Sequence, residues 1–115
     1  MKIGTLQIDP PTVFAPLAGI TNLPLRLLAK EAGCGLVCSE MVSANGLVYE
    51  SAKTIQLLKS TDEEKPLSVQ LFGSDGAMMA DAAQRVEAAG ADIVDINFGC
   101  SVREILKSGS GSALM

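Results

Sequence analysis

Residues 67–96 read LSVQLFGSDGAMMADAAQRVEAAGADIVDI, which predicts a strand, a helix and a second strand in succession. The apolar runs Leu67–Leu71 and Ile93–Ile96 have the length of buried strands. Between them, an amphipathic helix is predicted over about Gly76–Ala89, ending at Gly90. Two strands joined by a helix form a right-handed crossover, so we expect both strands to lie parallel in one sheet.

The same alternation extends toward the amino terminus. Short strands are predicted at 12–15 and 36–39, and helices at 23–32 and about 52–59. Residues 1–8, with glycine and threonine between apolar pairs, are predicted to form a small hairpin. Four strands that alternate with helices indicate an α/β fold whose parallel sheet is covered by helices.

Two architectures share this alternation, an open doubly wound sheet and a (β/α)8 barrel. A doubly wound nucleotide-binding fold places a G-x-G-x-x-G segment directly after its first strand, and Ala15–Thr21 does not match that pattern. A barrel needs roughly 250 residues, whereas this chain has 115. We therefore predict the N-terminal half of a TIM barrel, about four βα units, with residues 1–115 as one truncated domain and Ser112–Met115 as the start of a further helix.

Composition excludes several classes of protein. The chain is 48% hydrophobic and 19% charged with a net charge of −4, which is typical of a globular domain and unlike one that binds nucleic acid through bulk basicity. It has no His, which excludes Ser-His and Cys-His relays and most zinc sites. Three Cys, no signal-peptide pattern and no membrane-spanning apolar run predict a cytoplasmic protein without disulfides and without a membrane partner.

Residues that could bind a ligand or take part in catalysis lie just after, or at the ends of, the four predicted strands. They are Pro16–Gly19, then Glu40 and Met41, then Gln70, then Asn97–Cys100. Because the carboxyl ends of parallel strands meet on one face of the fold, we expect these residues to lie close together. The sequence therefore predicts a ligand site on that face.

The side chains at the ends of the third and fourth predicted strands could form hydrogen bonds with a ligand or donate a proton to it. Gln70 carries a donor and an acceptor on one amide, which suits the edge of a flavin or a pyrimidine, or else it faces solvent. Asp95 and Asn97 are two residues apart, so they share one face of their strand, the inner face in a barrel. Cys100 follows Gly99 in an irregular turn, where a protonated thiol could donate a proton, or else it is a small buried residue.

Three other features are given simpler interpretations. Cys34 and Cys38 lack the companions that a metal site needs, and are predicted to be structural. The acidic run Asp62–Glu64 is predicted to be a solvated loop. Lys107–Ser112 is predicted to be a flexible turn, because its lysine precedes the glycines rather than following them as in a phosphate-binding loop.

Together these segments resemble the tRNA-dihydrouridine synthases, particularly the bacterial branch once labelled as nitrogen-regulation proteins. The resemblance is collinear and covers essentially the whole chain. It is carried by Ala15–Asn22, Arg26, Glu40–Ala44, Gln70–Gly73 and Asp95–Cys100. It implies an FMN-dependent barrel followed by a helical tRNA-binding domain, which reduces uridine in tRNA to 5,6-dihydrouridine with NADPH as the reductant.

The resemblance also implies roles for individual residues. The cofactor-binding residues would be Pro16, Leu17 and Ala18 along the isoalloxazine ring and Gln70 at its edge. Asn97 would contact the substrate uracil or the flavin. The reduced flavin would deliver a hydride to C6 of a uracil flipped out of the tRNA, and Cys100 would be the catalytic acid that protonates C5.

The rest of such an enzyme would supply the flavin-phosphate contacts and the basic tRNA surface. We therefore expect this chain alone to be inactive and to bind FMN weakly or not at all. Two alternatives remain at this point. One is another FMN-dependent TIM-barrel oxidoreductase, related to dihydroorotate dehydrogenase, and the other is a non-enzymatic half-barrel that self-associates through its open sheet edges.

Overall fold

The structure, a computed structural model, describes residues 1–115, and it begins with the predicted hairpin. Strands β1 (Lys2–Ile3) and β2 (Leu6–Gln7) pair antiparallel. Gly4 turns the chain between them with a φ of 58°, a conformation that glycine adopts without steric cost. The hairpin precedes the main sheet and contributes no residue to it.

The main sheet has five strands and is covered by helices. The strands are β3 (Val13–Phe14), β4 (Leu36–Cys38), β5 (Val42–Ser43), β6 (Leu67–Phe72) and β7 (Ile93–Ile96). The helices are α1 (Leu23–Glu31), α2 (Ala44–Val48), α3 (Ala52–Gln56), α4 (Gly76–Ala88) and α5 (Arg103–Lys107), with short 3-10 helices at Asp62–Glu64 and Gly111–Leu114. No helix combines the length and the apolar composition that crossing a membrane requires.

All pairings within this sheet are parallel and follow the order of the chain. β3 pairs with β4, and β4 pairs with β6. Ser68 pairs with both β4 and β7, and Leu71 pairs with both β5 and β7, so β4 and β5 share one edge of β6 while β7 occupies the other. A doubly wound sheet reverses its strand order at a switch point, whereas a barrel does not. The predicted fold class, the first four βα units of a TIM barrel, is confirmed.

The second barrel strand is interrupted between β4 and β5. Cys38 pairs with Ser68 and Val42 pairs with Leu71. The three residues Ser39–Met41 therefore lie opposite only two residues of β6, Val69 and Gln70. Such an irregularity bends a strand and redirects its side chains. It contains Glu40 and Met41, two of the residues that the sequence places at strand ends.

The two faces of β6 have different surroundings. Leu67, Val69 and Leu71 face the helices and belong to the hydrophobic core. Ser68 and Gln70 alternate with them and therefore point to the opposite face. The buried core residues are Val37, Val42, Ala44, Leu47, Leu67, Val69, Leu71, Ala82 and Val86. This packing fixes β6 and β7 side by side, and so fixes the spacing of the polar side chains that they carry.

Some predicted boundaries were wrong. The sequence patterns missed α2 and α5, which have only five residues each. They also placed the end of α3 at Lys59 rather than Gln56. The backbone carbonyl of Lys59 instead accepts a hydrogen bond from Arg26 Nη2 at 3.1 Å, so it serves a tertiary contact.

The prediction that Asp62–Glu64 is a solvated loop was wrong for Glu64, although Asp62 and Glu63 are exposed. The Glu64 side chain is fully buried and forms a two-pronged ion pair with Arg26, with Nε to Oε2 at 2.7 Å and Nη2 to Oε1 at 3.1 Å. Arg26 Nη1 also donates to the carbonyl of Thr21 at 2.9 Å. A buried charge must be paired and hydrogen-bonded, which explains why one glutamate of an acidic run leaves the surface.

Lys107–Ser112 is a packed turn rather than a flexible one. Ser110 and Gly111 are both buried. A Cβ added at Gly111 would lie 2.5 Å from the carbonyl oxygen of Cys100, so this position needs a glycine for the close approach of two backbone segments. The turn therefore supports the loop that follows β7.

Candidate functional site

A cavity of about 330 Å³ opens at the carboxyl ends of the parallel strands. Its lining residues come from all four barrel strands or from the loops that follow them. They are Pro16, Leu17, Ala18, Met41, Gln70, Asn97, Gly99, Cys100 and Val102. The size falls in the usual range for small-molecule sites, roughly 300–1,000 Å³.

All six site residues named from the sequence line this one cavity. Pro16, Leu17 and Ala18 form one side, and Gln70, Asn97 and Cys100 come from the β6 and β7 ends. Three further lining residues, Met41, Gly99 and Val102, were given no binding or catalytic role from the sequence. Met41 and Gly99 were recognisable as strand-end residues, whereas nothing in the sequence pattern marks Val102.

The loop after β3 is held in place by side chains beneath it. The Thr21 hydroxyl accepts a hydrogen bond from Leu17 N at 3.0 Å and lies 3.2 Å from its carbonyl oxygen. Gly19, with a φ of 73°, donates its backbone N–H to Glu40 Oε1 at 2.5 Å. Thr21 is itself held by Arg26. The apolar side of the cavity thus depends on the buried ion pair and on the irregularity in the second strand.

A chain of polar side chains lies along the β6 and β7 side. Gln70 and Asp95 are paired in register, and Gln70 Nε2 donates to Asp95 Oδ2 at 2.5 Å. Asn97 Nδ2 donates to Gln70 Oε1 at 3.1 Å. Each end of the Gln70 amide therefore has one partner, and one N–H and one oxygen lone pair remain for a ligand.

The backbone N–H and the backbone carbonyl of Cys100 are both hydrogen-bonded. Its N–H donates to Asn97 Oδ1 at 2.9 Å, and the same oxygen accepts from Gly99 N at 3.1 Å. Its carbonyl oxygen accepts from the Ser112 N–H at 2.9 Å and from the Ser112 hydroxyl at 3.0 Å. These contacts place a half-buried thiol at the cavity wall. Ser112, which was given no role at the site from the sequence, is part of this support.

The other two cysteines lie outside the cavity lining. Cys38 is buried on β4, and this burial raises the pKa of its thiol despite a hydrogen bond to Ser68 that acts in the opposite direction. Cys34 hydrogen-bonds to the Leu36 carbonyl at 3.2 Å, at the opposite end of the sheet from Cys100. These positions fit the predicted structural role of both residues.

Comparison with known proteins points to one family. The family model described as "Dihydrouridine synthase (Dus)" matches residues 13–115. This range includes every residue of the cavity and all four barrel strands.

Curated relatives match the whole chain. It is 44% identical to the tRNA-dihydrouridine synthase B of Escherichia coli K12 over 115 residues, which is 36% of that protein. It is 43% identical to the protein of the same name from Vibrio parahaemolyticus, over all of this chain and 36% of that protein. It is 40% identical to the one from Pseudomonas aeruginosa, over all of this chain and 35% of that protein. The chain thus spans about a third of the length of the curated relatives it matches. A family match over all four βα units, together with these identities, shows that the chain belongs to the dihydrouridine synthase family.

Proposed function

We propose that this chain supplies the flavin-binding and uracil-binding wall of an active site that reduces uridine to 5,6-dihydrouridine in tRNA. FMN would be its cofactor and NADPH its reductant. The observation that carries the proposal is the meeting of six strand-end residues in one cavity, with an amide and a thiol on one side and an apolar segment on the other. The relatives' name, tRNA-dihydrouridine synthase B, supports the choice of reaction and substrate.

The residues present fit the ring end of a flavin. Pro16, Leu17 and Ala18 offer a small apolar surface against which a flat ring can lie. Gln70 keeps one donor and one acceptor for the alternating N–H and C=O groups of the ring edge. No Lys or Arg lines the cavity, so we propose that the FMN phosphate is held by residues beyond this half of the barrel.

When bound, the reduced flavin would supply the hydride that C6 of the uracil receives. The residues of this chain would perform the remaining work on the substrate. The Cys100 thiol donates its proton to C5, which completes reduction of the C5–C6 double bond, and the thiolate then regains a proton from solvent. Asn97 orients the base and holds the backbone of Cys100. The base must leave the tRNA stack to reach this cavity.

The partner of the proposed enzyme is tRNA, and its place of action is the cytoplasm, where tRNA is modified and used. We propose that residues 1–115 are the N-terminal part of the FMN-binding catalytic barrel, and that the activity belongs to the full-length enzyme, meaning the protein that continues this chain to the length of its relatives. In that protein a further helical domain would supply the tRNA-binding surface, which the net charge of −4 here does not provide.

Two open edges support this view of the domain. β3 pairs only with β4, and β7 pairs only with β6, so each has one edge without a strand partner. Unpaired edges favour pairing with another strand. We propose that the remaining barrel strands cover them in the full-length enzyme, and that the chain by itself self-associates through them.

The proposed function is tested by assaying the full-length enzyme with NADPH and FMN on tRNA that lacks dihydrouridine, in parallel with dihydroorotate. We expect the tRNA to gain dihydrouridine, detected by nucleoside mass spectrometry, and dihydroorotate to remain unchanged. The E. coli relative serves as the positive control. Turnover of dihydroorotate with no change in the tRNA would overturn the proposal in favour of a different flavin barrel.

A further inference from the structure

Asp95 holds a position that the proposed mechanism does not use. It lies on β7, directly beside Gln70 on β6, and it does not line the cavity. The hydrogen bond from Gln70 Nε2 is the only one that its side chain makes. The single partner of the Asp95 side chain, Gln70, does line the cavity.

An ionised carboxylate can only accept hydrogen bonds, so Asp95 decides which way the Gln70 amide is turned. The NH2 group of Gln70 must face Asp95, and its oxygen must then face Asn97. Asn97 in turn must offer its NH2 group to that oxygen. Its own oxygen is left to accept from the backbone N–H groups of Gly99 and Cys100.

Asp95, Gln70 and Asn97 thus form a series of hydrogen-bonded side chains. The Asp95 carboxylate sets the orientation of the Gln70 amide, and Gln70 in turn sets the orientation of the Asn97 amide. We propose that Asp95 is a positioning residue, which fixes the orientation of the Gln70 and Asn97 amides and, through them, the placement of Cys100. This inference rests on the proposed function for its catalytic consequence. The arrangement of the three side chains and of Cys100 can be tested without it.

A second aspartate near the same strand provides a matched control. Asp92 precedes β7, and its Oδ2 accepts from the backbone N–H of Leu67 at 2.9 Å and lies 3.9 Å from Lys65 Nζ. Asp92 is therefore tied to the backbone at the end of the sheet away from the cavity. Replacing either aspartate with asparagine removes one charge and keeps the size of the side chain.

The test compares the Asp95→Asn and Asp92→Asn variants of the full-length enzyme. At Asp95 an amide can present either its NH2 group or its oxygen to Gln70, so both orientations of the series become accessible. We expect Asp95→Asn to lower kcat for uridine reduction tenfold or more with little change in KM for tRNA, and Asp92→Asn to leave kcat within twofold of wild type. Equal kcat losses in the two variants, or a wild-type kcat in Asp95→Asn, would overturn the inference.

A second readout uses no flavin and no tRNA. The rate at which iodoacetamide alkylates Cys100, measured peptide by peptide by mass spectrometry, reports how the thiol is placed, and Cys34 in the same protein is the internal reference. We expect Asp95→Asn to change the Cys100 rate at least twofold and to leave the Cys34 rate unchanged. Unchanged Cys100 alkylation would contradict the positioning role, whatever the outcome of the tRNA assay.

Should Asp95→Asn fail to fold, Asn97→Asp tests the next hydrogen bond, between Asn97 and Gln70. The carboxylate that it introduces cannot donate to Gln70 Oε1. We expect the same change in Cys100 alkylation, and an unchanged rate would again contradict the inference. If the wild-type enzyme proves unable to reduce tRNA, the proposed function fails while the alkylation result still decides the role of Asp95.

Discussion

Cys100→Ala in the full-length enzyme is expected to leave the reduction of bound flavin by NADPH at its wild-type rate and to lower uridine reduction by about 10²–10⁴, the usual contribution of a general acid. In the proposed reaction, hydride transfer to C6 would place charge on the base, and the proton from Cys100 would neutralise that charge at C5. Without the thiol, only solvent can supply that proton. Stopped-flow spectroscopy of the flavin separates the two half-reactions, since the first bleaches its absorbance and the second restores it.

Cys34→Ser provides the control. Cys34 lies outside the cavity, and its thiol hydrogen-bonds to the Leu36 carbonyl, a contact that a hydroxyl can replace. We expect this variant to perform both half-reactions at wild-type rates. Wild-type restoration of flavin absorbance by tRNA in Cys100→Ala would remove Cys100 from the mechanism.

Of the substitutions proposed here, Arg26→Met in the full-length enzyme is expected to lower the free energy of unfolding most. Removing one partner of a buried ion pair costs about 3–5 kcal/mol, because the remaining charge is left buried without compensation. Here that charge is Glu64, whose side chain is fully buried. The substitution also removes the hydrogen bonds to the carbonyls of Thr21 and Lys59. Urea denaturation measures the loss as a change in the free energy of unfolding.

Two further variants show whether the pair itself is responsible. Arg26→Met combined with Glu64→Met removes both charges, and should recover much of the lost stability. Arg85→Met removes an arginine whose partners, Asp81 and Glu50, are on the surface, and should change stability little. A free energy of unfolding for Arg26→Met equal to that of Arg85→Met would contradict the account of the buried pair.

The ion pair also links stability to the site. Arg26 holds Thr21, and Thr21 holds Leu17 in the loop that forms the apolar side of the cavity. Arg26 is among the residues that carry the resemblance to the family. The structure gives it a role in supporting the loop, and Arg26 itself does not line the cavity at the strand ends.

Local patterns in the sequence were sufficient to predict the strand order and the meeting of the site residues. The alternation of apolar runs with a helix around Gln70 and Asp95 fixes a parallel βαβ unit, and a parallel unit places strand ends on one face. The predicted β7, Ile93–Ile96, matches the observed strand at both ends. These features are set by short-range periodicity and turn residues, which one sequence displays directly.

Long-range pairings were the part that the sequence could not show. Glu64 and Arg26 are 38 positions apart, and nothing in an acidic run tells which carboxylate will be buried. Ser112 supports Cys100 from 12 positions away through a turn that looks flexible in composition. The helices α2 and α5 are too short for a periodic pattern, because one turn of helix shows little periodicity.

A crystal structure of the full-length enzyme with FMN would locate the flavin ring, on which the proposed site depends. We expect the ring to lie against Pro16, Leu17 and Ala18, with the Gln70 amide at its edge and the Cys100 thiol across the space left for the base. A ring bound elsewhere, too far from Gln70 for a hydrogen bond and too far from Cys100 for one base to reach both, would rule out the proposed site.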